Sequence, residues 1–267
     1  MKKRNTTITA VLFVVVLLIN YLSSAGIIFP YTQSEISDMH TNLLAPAGFA
    51  FSIWGVIYFG VVVSLLTPFF SWGTEDLRRD FEEGVAPYYM AWMVFNIIWI
   101  ITWSYDLIFI ALIAIVIYTI ILVLAAKRVE RLGSFEDNRW LVTYPLGLHA
   151  GWLLTASYAN LMTLLAKNDF DVLGDTGVWL TIGLMVLIVA TVAAVYYWID
   201  NVVIMVPALW ALFGIFMKHR EGSDFQYNDS RVMIAAIVLI IIGLTIHQYI
   251  LRKVHRPRRR QEIRAYD

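Results

Sequence analysis

Cysteine is absent from the 267 residues, and charged residues are scarce. Without a thiol the chain can form no disulfide, thiolate metal site or cysteine nucleophile. Aspartate, glutamate, lysine and arginine make up 15% of the sequence, whereas a soluble domain carries roughly a quarter. Hydrophobic residues reach 60% and occur in long unbroken runs. Since a helix needs about 20 apolar residues to cross a bilayer, the sequence predicts an all-α integral membrane protein.

Ionisable side chains are also scarce inside the apolar runs, where function in a membrane protein is usually marked by them. The acids fall in loops or turns, and Asp106 and Asp200 are interpreted as turn residues. No histidine pair has metal-ligand spacing, and no phosphate loop or Ser-His-acid grouping is present. We therefore assign no catalytic or metal-binding residue, and the sequence gives little support to an enzyme with acid–base machinery or to a proton-driven pump.

The apolar runs themselves predict a bundle of about eight transmembrane helices. Short connections at Asp106 and at 200–201 make two pairs of runs antiparallel hairpins. Pro207 is expected to kink the short seventh span, because proline interrupts helical hydrogen bonding. The predicted spans are Thr7–Ile28, Ala47–Phe70, Pro87–Tyr105, Leu107–Ala126, Trp140–Ala166, Val178–Trp198, Val202–Met217 and Val232–Leu251.

The distribution of lysine and arginine predicts the orientation of the bundle. With the N-terminus inside, most of the 20 basic residues fall in cytoplasmic segments, including the tail Arg252–Arg264. We therefore expect a multi-pass protein of the plasma membrane with both termini cytoplasmic. The tail is interpreted as a topological anchor, with attraction to anionic lipid as the alternative. The exceptions on the outer side are Lys167, Lys218, Arg220 and Arg231.

Tryptophan is abundant, with ten residues. Tryptophan commonly marks the two membrane interfaces. That interpretation does not fit Trp54, Trp99 and Trp152, which lie well inside their predicted spans. It does fit the tryptophans near span ends, which are Trp72, Trp140, Trp179 and Trp198.

The inner tryptophans share helix faces with polar residues, at intervals of three and four. An asparagine facing lipid would lack a hydrogen-bond partner, so Asn96 and Asn160 should point into the bundle. Such converging faces favour a pocket for a flat, mostly apolar ligand, with simple helix packing as the alternative. The three stripes are Ala50, Trp54 and Tyr58; Trp92, Asn96, Trp99 and Trp103; and His149, Trp152, Ala156 and Asn160.

These stripes resemble motifs of the tryptophan-rich sensory protein family, also called the TspO/MBR or translocator protein family. The resemblance covers about residues 7–167 and implies that 1–167 form a five-helix core, with three further helices and a basic tail in 168–267. It also implies that the loop Pro30–Ala45 covers a ligand pocket. The matching residues are Pro46, Trp54 and Tyr58 in the second span, Asn96 and Trp99 in the third, and Trp152, Ala156 and Asn160 in the fifth.

The function expected from the resemblance is a membrane sensor or carrier for flat hydrophobic molecules such as porphyrins. Two alternatives stay open: a transporter of a small amphipathic solute, for which Pro207 could serve as hinge, and a light-dependent porphyrin-degrading enzyme. As a lone histidine, His149 is expected to be a hydrogen-bonded core residue rather than a ligand of haem iron. The candidate ligand-binding residues are Trp54, Tyr58, Asn96, Trp99, Trp103, His149, Trp152, Ala156 and Asn160.

The expected partners follow from the same reasoning. No cofactor is required, and a tetrapyrrole such as protoporphyrin or haem is the candidate ligand. The bilayer surrounds the chain, and the family's habit of pairing implies a homodimer. No nucleic acid is expected as a partner.

Overall fold

The computed structural model of the protein describes the backbone of residues 4–70 and 74–266, and side chains as far as residue 252. Trp72 and most of the predicted basic tail therefore lie outside the described side chains. Within these ranges the chain is all-helical. The helices are α1 Arg4–Ser24, α2 Gln33–Met39, α3 Ile53–Leu66, α4 Glu75–Asp80, α5 Ala86–Ser104, α6 Ile108–Glu130, α7 Thr143–Lys167, α8 Asp175–Ile199, α9 Val206–His219 and α10 Ser230–Tyr266.

Each of the eight predicted spans coincides with one of these helices, namely α1, α3 and α5 to α10. Large apolar side chains cover their outer faces, for example Val11, Phe59 and Phe109, as expected of surfaces that contact lipid. The chain is therefore an integral membrane protein. Among the described residues, the segments that combine spanning length with apolar composition are Arg4–Ser24, Gly48–Leu66, Glu75–Ser104, Ile108–Glu130, Asp175–Ile199 and Ser230–Arg252, with Val206–His219 as a shorter apolar helix.

The tight connections are built by aspartates, as predicted. Asp106 has φ 58° between α5 and α6, and Asp200 has φ 69° at the C-terminus of α8. Aspartate tolerates this left-handed conformation better than most non-glycine residues. The interface tryptophans Trp140, Trp179 and Trp198 are exposed near helix ends, in agreement with their interpretation.

Two predictions about single residues were wrong. Pro207 does not kink α9, because the helix begins at Val206 and the proline lies in its first turn, where a missing N–H costs no hydrogen bond. Glu82, assigned to a loop, is buried in a π-helical turn, Phe81–Val85, that joins α4 to α5. Its carboxylate accepts hydrogen bonds from Thr6 N at 2.8 Å and Thr6 Oγ1 at 2.6 Å, and so caps the N-terminus of α1.

The bundle is organised around α5, α6 and α7, which pack against one another in sequence order. Helix α1 lies against α5, and α3 lies against α7. On the other side, α9 packs against α7, while α10 packs against both α8 and α9. The last three helices, α8 to α10, are therefore continuous with the rest of the bundle, mainly through contacts of α8 and α9 with α7.

Two glycines one turn apart make the close contact between α7 and the α8–α9 connection. A Cβ added at Gly147 would lie 2.2 Å from Asn201 Oδ1, and one at Gly151 would lie 2.1 Å from the Ile204 carbonyl oxygen. The buried Asn201 donates to the Thr143 carbonyl at 2.8 Å. Small residues at i and i+4 let backbones approach in membrane helices, and here they serve a contact within one chain.

Candidate functional site

A cavity of about 1380 Å³ lies at the end of the bundle where α1, α5, α7 and α9 end and α3 begins. Two chain segments lie over it: residues 32–49, which include α2, and residues 220–227, between α9 and α10. A pocket for a drug-sized ligand needs roughly 300–1,000 Å³, so this one has room for a larger flat molecule.

Aromatic side chains form the inner wall of the cavity. The Trp54 ring lies 5.3 Å from Tyr58 and 6.3 Å from Trp152, centre to centre. Trp99 and Trp103, whose ring centres are 5.7 Å apart, also line the cavity. Rings of this kind provide rigid apolar surface at a low cost in conformational entropy, which suits a flat ligand.

A chain of hydrogen bonds crosses the wall between α1, α3 and α5. Tyr58 donates through its hydroxyl to Asn20 Oδ1 at 2.9 Å, and Asn20 Nδ2 donates to Asn96 Oδ1 at 3.0 Å. Asn20 and Tyr58 line the cavity, whereas Asn96 is fully buried behind them. Because buried amides need partners, this chain fixes the three helices relative to one another.

Asn160 holds the other side of the wall. Its Oδ1 accepts a hydrogen bond of 3.0 Å from Trp99 Nε1, and its Nδ2 donates to the Ala156 carbonyl at 2.9 Å. Asn160 and Ala156 both line the cavity on α7. The bond fixes the Trp99 ring, so that its face is part of a preformed surface.

His149 lies behind the wall. Its Nε2 is 2.6 Å from the Tyr118 hydroxyl, and its ring packs edge-on against Trp92 at 4.9 Å. Trp92 and Tyr118 in turn are stacked, with 5.6 Å between ring centres and 9° between planes. His149 is thus buried and hydrogen-bonded within the core, and its part in ligand binding stays a prediction.

Helix α2 forms one cover of the cavity and is attached at both ends. Near its start, Gln33 Nε2 donates to Ser23 Oγ at 3.1 Å, and Trp103 Nε1 donates to the Gln33 carbonyl at 3.3 Å. Just past its end, His40 Nε2 lies 2.7 Å from Asp106 Oδ1. The segment that the resemblance assigned as cover therefore contacts α1, α5 and the α5–α6 turn.

Asp106 is the charged centre of this outer contact. Its Oδ2 also receives the Lys167 ammonium at 2.5 Å. Burial raises the pKa of the Asp106 carboxyl, but hydrogen bonds from Lys167 and His40 outweigh it, and the pKa lies below its ordinary value. The carboxylate form is therefore favoured, and with it the contact between α2, the α5–α6 turn and the end of α7.

The second cover follows α9. The Lys218 ammonium donates to the backbone carbonyls of Asn42 at 3.2 Å and Ala45 at 2.9 Å. His219 Nε2 donates to the Leu43 carbonyl at 2.9 Å, while its Nδ1 accepts from Asp229 N at 3.1 Å. The end of α9, from which the second cover continues, is thus joined by hydrogen bonds to the first cover.

Most of the candidate residues come together at the cavity. Trp54, Tyr58, Trp99, Trp103, Trp152, Ala156 and Asn160 line it. Asn96 and His149 instead support the lining residues from behind. The contribution of each to ligand binding stays a prediction.

Sequence reasoning missed other residues of the site. Asn20 is a polar residue in an apolar span, and the argument applied to Asn96 would have found it. Tyr118 lines the cavity as a single tyrosine in an apolar helix, without a stripe. Lys218 and Phe225 come from the region beyond the resemblance, where no motif marked a binding surface.

Comparison with known protein families identifies a match that covers most of the chain. A family described as TSPO-like protein matches residues 6–249. The match extends past residue 167 through α8 and α9 and into α10, farther than the motifs at 7–167. No match was found among curated proteins or among solved structures.

Proposed function

The chain belongs to the TSPO-like protein family, and from that premise we propose that it is a membrane sensor or carrier that binds flat, mostly apolar molecules such as porphyrins. The observation that supports this most is the cavity of about 1380 Å³ walled by tryptophan and tyrosine rings. At the aromatic wall the polar groups of Asn20 and Asn160 are already engaged in hydrogen bonds, so the rings offer a flat ligand mainly shape and apolar contact.

The proposal includes a location and an orientation. The cavity lies at the end of the bundle opposite the start of α1. If basic segments face the cytoplasm, the cavity faces the outer side of the plasma membrane and both termini lie inside. A homodimer is part of the same proposal and is tested by the mass of the purified protein in lipid nanodiscs.

The test of ligand binding is a titration of the purified protein with protoporphyrin IX, followed by quenching of tryptophan fluorescence. Trp152→Leu removes a ring from the cavity wall, because Trp152 contacts both Trp54 and Phe51. In the wild type we expect quenching that saturates with a dissociation constant in the micromolar range. In the variant we expect an affinity about tenfold lower, because roughly one ring contact with the ligand is lost.

The matched control is Trp179→Leu. Trp179 is 63% exposed on α8 and does not line the cavity, so its loss should leave the dissociation constant unchanged. Quenching that rises linearly without saturation in the wild type contradicts a porphyrin site, and equal affinities in Trp152→Leu and wild type remove Trp152 from it.

A further inference from the structure

Lys218 places a positive charge at the end of an apolar face of α9. It lies on α9, where Ala211, Ile215 and Lys218 are spaced by four and three and all line the cavity. This is one helix face. The lysine is its last member, nearest the segments that cover the cavity, so the face ends in an ammonium group.

The Lys218 ammonium is held in place by neutral groups. Its hydrogen bonds go to the carbonyls of Asn42 and Ala45, and the Phe225 ring lies 4.2 Å below it. Among the described residues, no carboxylate lies within 4.0 Å of it. An ammonium has three N–H donors, so the two carbonyls leave one donor for another partner.

The other charged groups around the cavity differ from Lys218 in exposure. Asp38, Asp224 and Arg220 also line it, and all three are exposed. Water and salt screen their fields, and Arg220 offsets part of the negative charge of Asp38 and Asp224. Lys218 is half-buried, so its charge is screened less and acts more strongly on a group inside the cavity.

From this placement we infer that Lys218 binds the anionic group of an amphipathic ligand whose flat apolar body lies against the aromatic wall. The inference rests on the proposed function and narrows it to ligands that carry a carboxylate or a comparable anion. Two candidate ligand-binding amides use their side-chain oxygens within the wall: Asn96 Oδ1 accepts from Asn20, and Asn160 Oδ1 accepts from Trp99. The recognition of charge thus comes from α9, outside the five-helix region.

The test compares protoporphyrin IX, which carries two carboxylates, with its uncharged dimethyl ester. Lys218→Met should lower the affinity for the diacid about tenfold or more, the size of one charge-assisted hydrogen bond, and leave the affinity for the ester unchanged. Lys218→Arg keeps the charge and should retain most of the diacid affinity.

The matched control is Lys127→Met. Lys127 is also half-buried, donates to the Trp198 carbonyl and lies 5.2 Å from the Trp198 ring centre, but it does not line the cavity. This variant should bind both porphyrins as the wild type does. If Lys218→Met lowers the affinity for the diacid and the ester equally, Lys218 only holds the covers in place. If it leaves both affinities unchanged, Lys218 contacts no anion. Either result overturns the inference.

A second ligand pair separates this inference from the proposed function. If neither porphyrin binds the wild type, the porphyrin proposal fails. Whether Lys218 forms an anion site is then tested with two dyes in nanodiscs of zwitterionic lipid. The anionic dye is 1-anilinonaphthalene-8-sulfonate, and the uncharged dye is N-phenyl-1-naphthylamine. Sulfonate binding that falls in Lys218→Met, with unchanged binding of the neutral dye, supports an anion site; absence of that difference overturns it.

Discussion

The tryptophans of the cavity wall are each held by a specific contact. Trp99 donates to Asn160, Trp103 donates to the Gln33 carbonyl, and Trp54 packs between Tyr58 and Trp152. A ring fixed in this way loses little conformational freedom when a ligand binds. The wall is therefore preorganised, and a flat ligand needs only to match its shape.

Glycine decides the contact between α7 and the α8–α9 connection. A Cβ at Gly151 would lie 2.1 Å from the Ile204 carbonyl oxygen, so we expect Gly151→Ala to lower the free energy of unfolding by about 1–3 kcal/mol through overpacking. Thermal unfolding in detergent, followed by circular dichroism, measures the change.

The control for that variant is Gly183→Ala on α8. Nothing lies within 4 Å of a Cβ added at Gly183, and alanine favours a helix over glycine, so stability should stay equal or rise slightly. A Gly151→Ala protein as stable as the Gly183→Ala protein would contradict the close contact.

Single residues were predictable from sequence where helical spacing alone fixes the face. The stripes placed Trp54, Trp99 and Trp152 inside the bundle, because a helix face follows from intervals of three and four. Spacing does not say which helices are neighbours. The partnership of Asn20 with Tyr58, and the approach of Lys218 to Ala45, depend on tertiary packing and could not be read from one helix at a time.

At the scale of elements, α2 is a short helix held over the cavity by contacts at both ends. It begins with a reciprocal hydrogen-bonded cap between Thr32 and Glu35, and Ile36 packs beside Trp103. A helix of seven residues has little stability by itself in water. The position of α2 therefore depends on the contacts of Gln33 and His40.

The outer attachment of α2 predicts a pH dependence. Because the pKa of Asp106 is lowered in the folded protein, the carboxylate stabilises the fold above its ordinary pKa of 3.8, and this contribution is lost as the pH falls through the lowered pKa. Asp106→Asn should speed amide exchange in α2 at pH 7, and its melting temperature should approach that of the wild type under acid conditions.

Asp169→Asn is the matched control. Asp169 follows α7 in the same left-handed conformation, with φ 57°, and asparagine keeps that conformation accessible. Its exchange in α2 should equal that of the wild type. Unchanged α2 exchange in Asp106→Asn at pH 7 would contradict a role for Asp106 in holding the cover.

Helix positions were predictable because length and apolar composition set them. The eight predicted spans all became helices, but α2 and the helical segment Glu75–Val85 were not foreseen. Both are short and contain polar residues, and they are stabilised by contacts such as that between Glu82 and Thr6. The Thr32–Glu35 cap marks the start of α2 in the sequence, but the sequence does not show which distant residues hold these short elements in place.

At the scale of the whole molecule, the cavity belongs to the full bundle. Helices α1, α3, α5 and α7 provide the aromatic wall, while α8 and α9 add Ile188 and Ile215. The family match to residues 6–249 includes these helices. The division into a five-helix core at 1–167 and three additional helices at 168–267 stays a prediction, but residues of both parts line the cavity.

The absence of native cysteine makes orientation directly measurable. Single cysteines at Asp169 and Ser223, at the cavity end, should react with a membrane-impermeant maleimide in intact cells. Asp137, between α6 and α7 at the other end, should react as Asp137→Cys only after the membrane is opened. The reverse labelling pattern would place the cavity on the cytoplasmic side and contradict the orientation.

The most direct test of the central claim is to fill the cavity and measure ligand binding. Ala156 lines the cavity on α7, so Ala156→Phe should occupy space that the ligand needs, while Ala190→Phe, on the exposed face of α8, should not. We predict saturable protoporphyrin IX quenching in the wild type and in Ala190→Phe, and its loss in a folded Ala156→Phe protein. Equal affinity in all three proteins would contradict the claim that this cavity is the binding site.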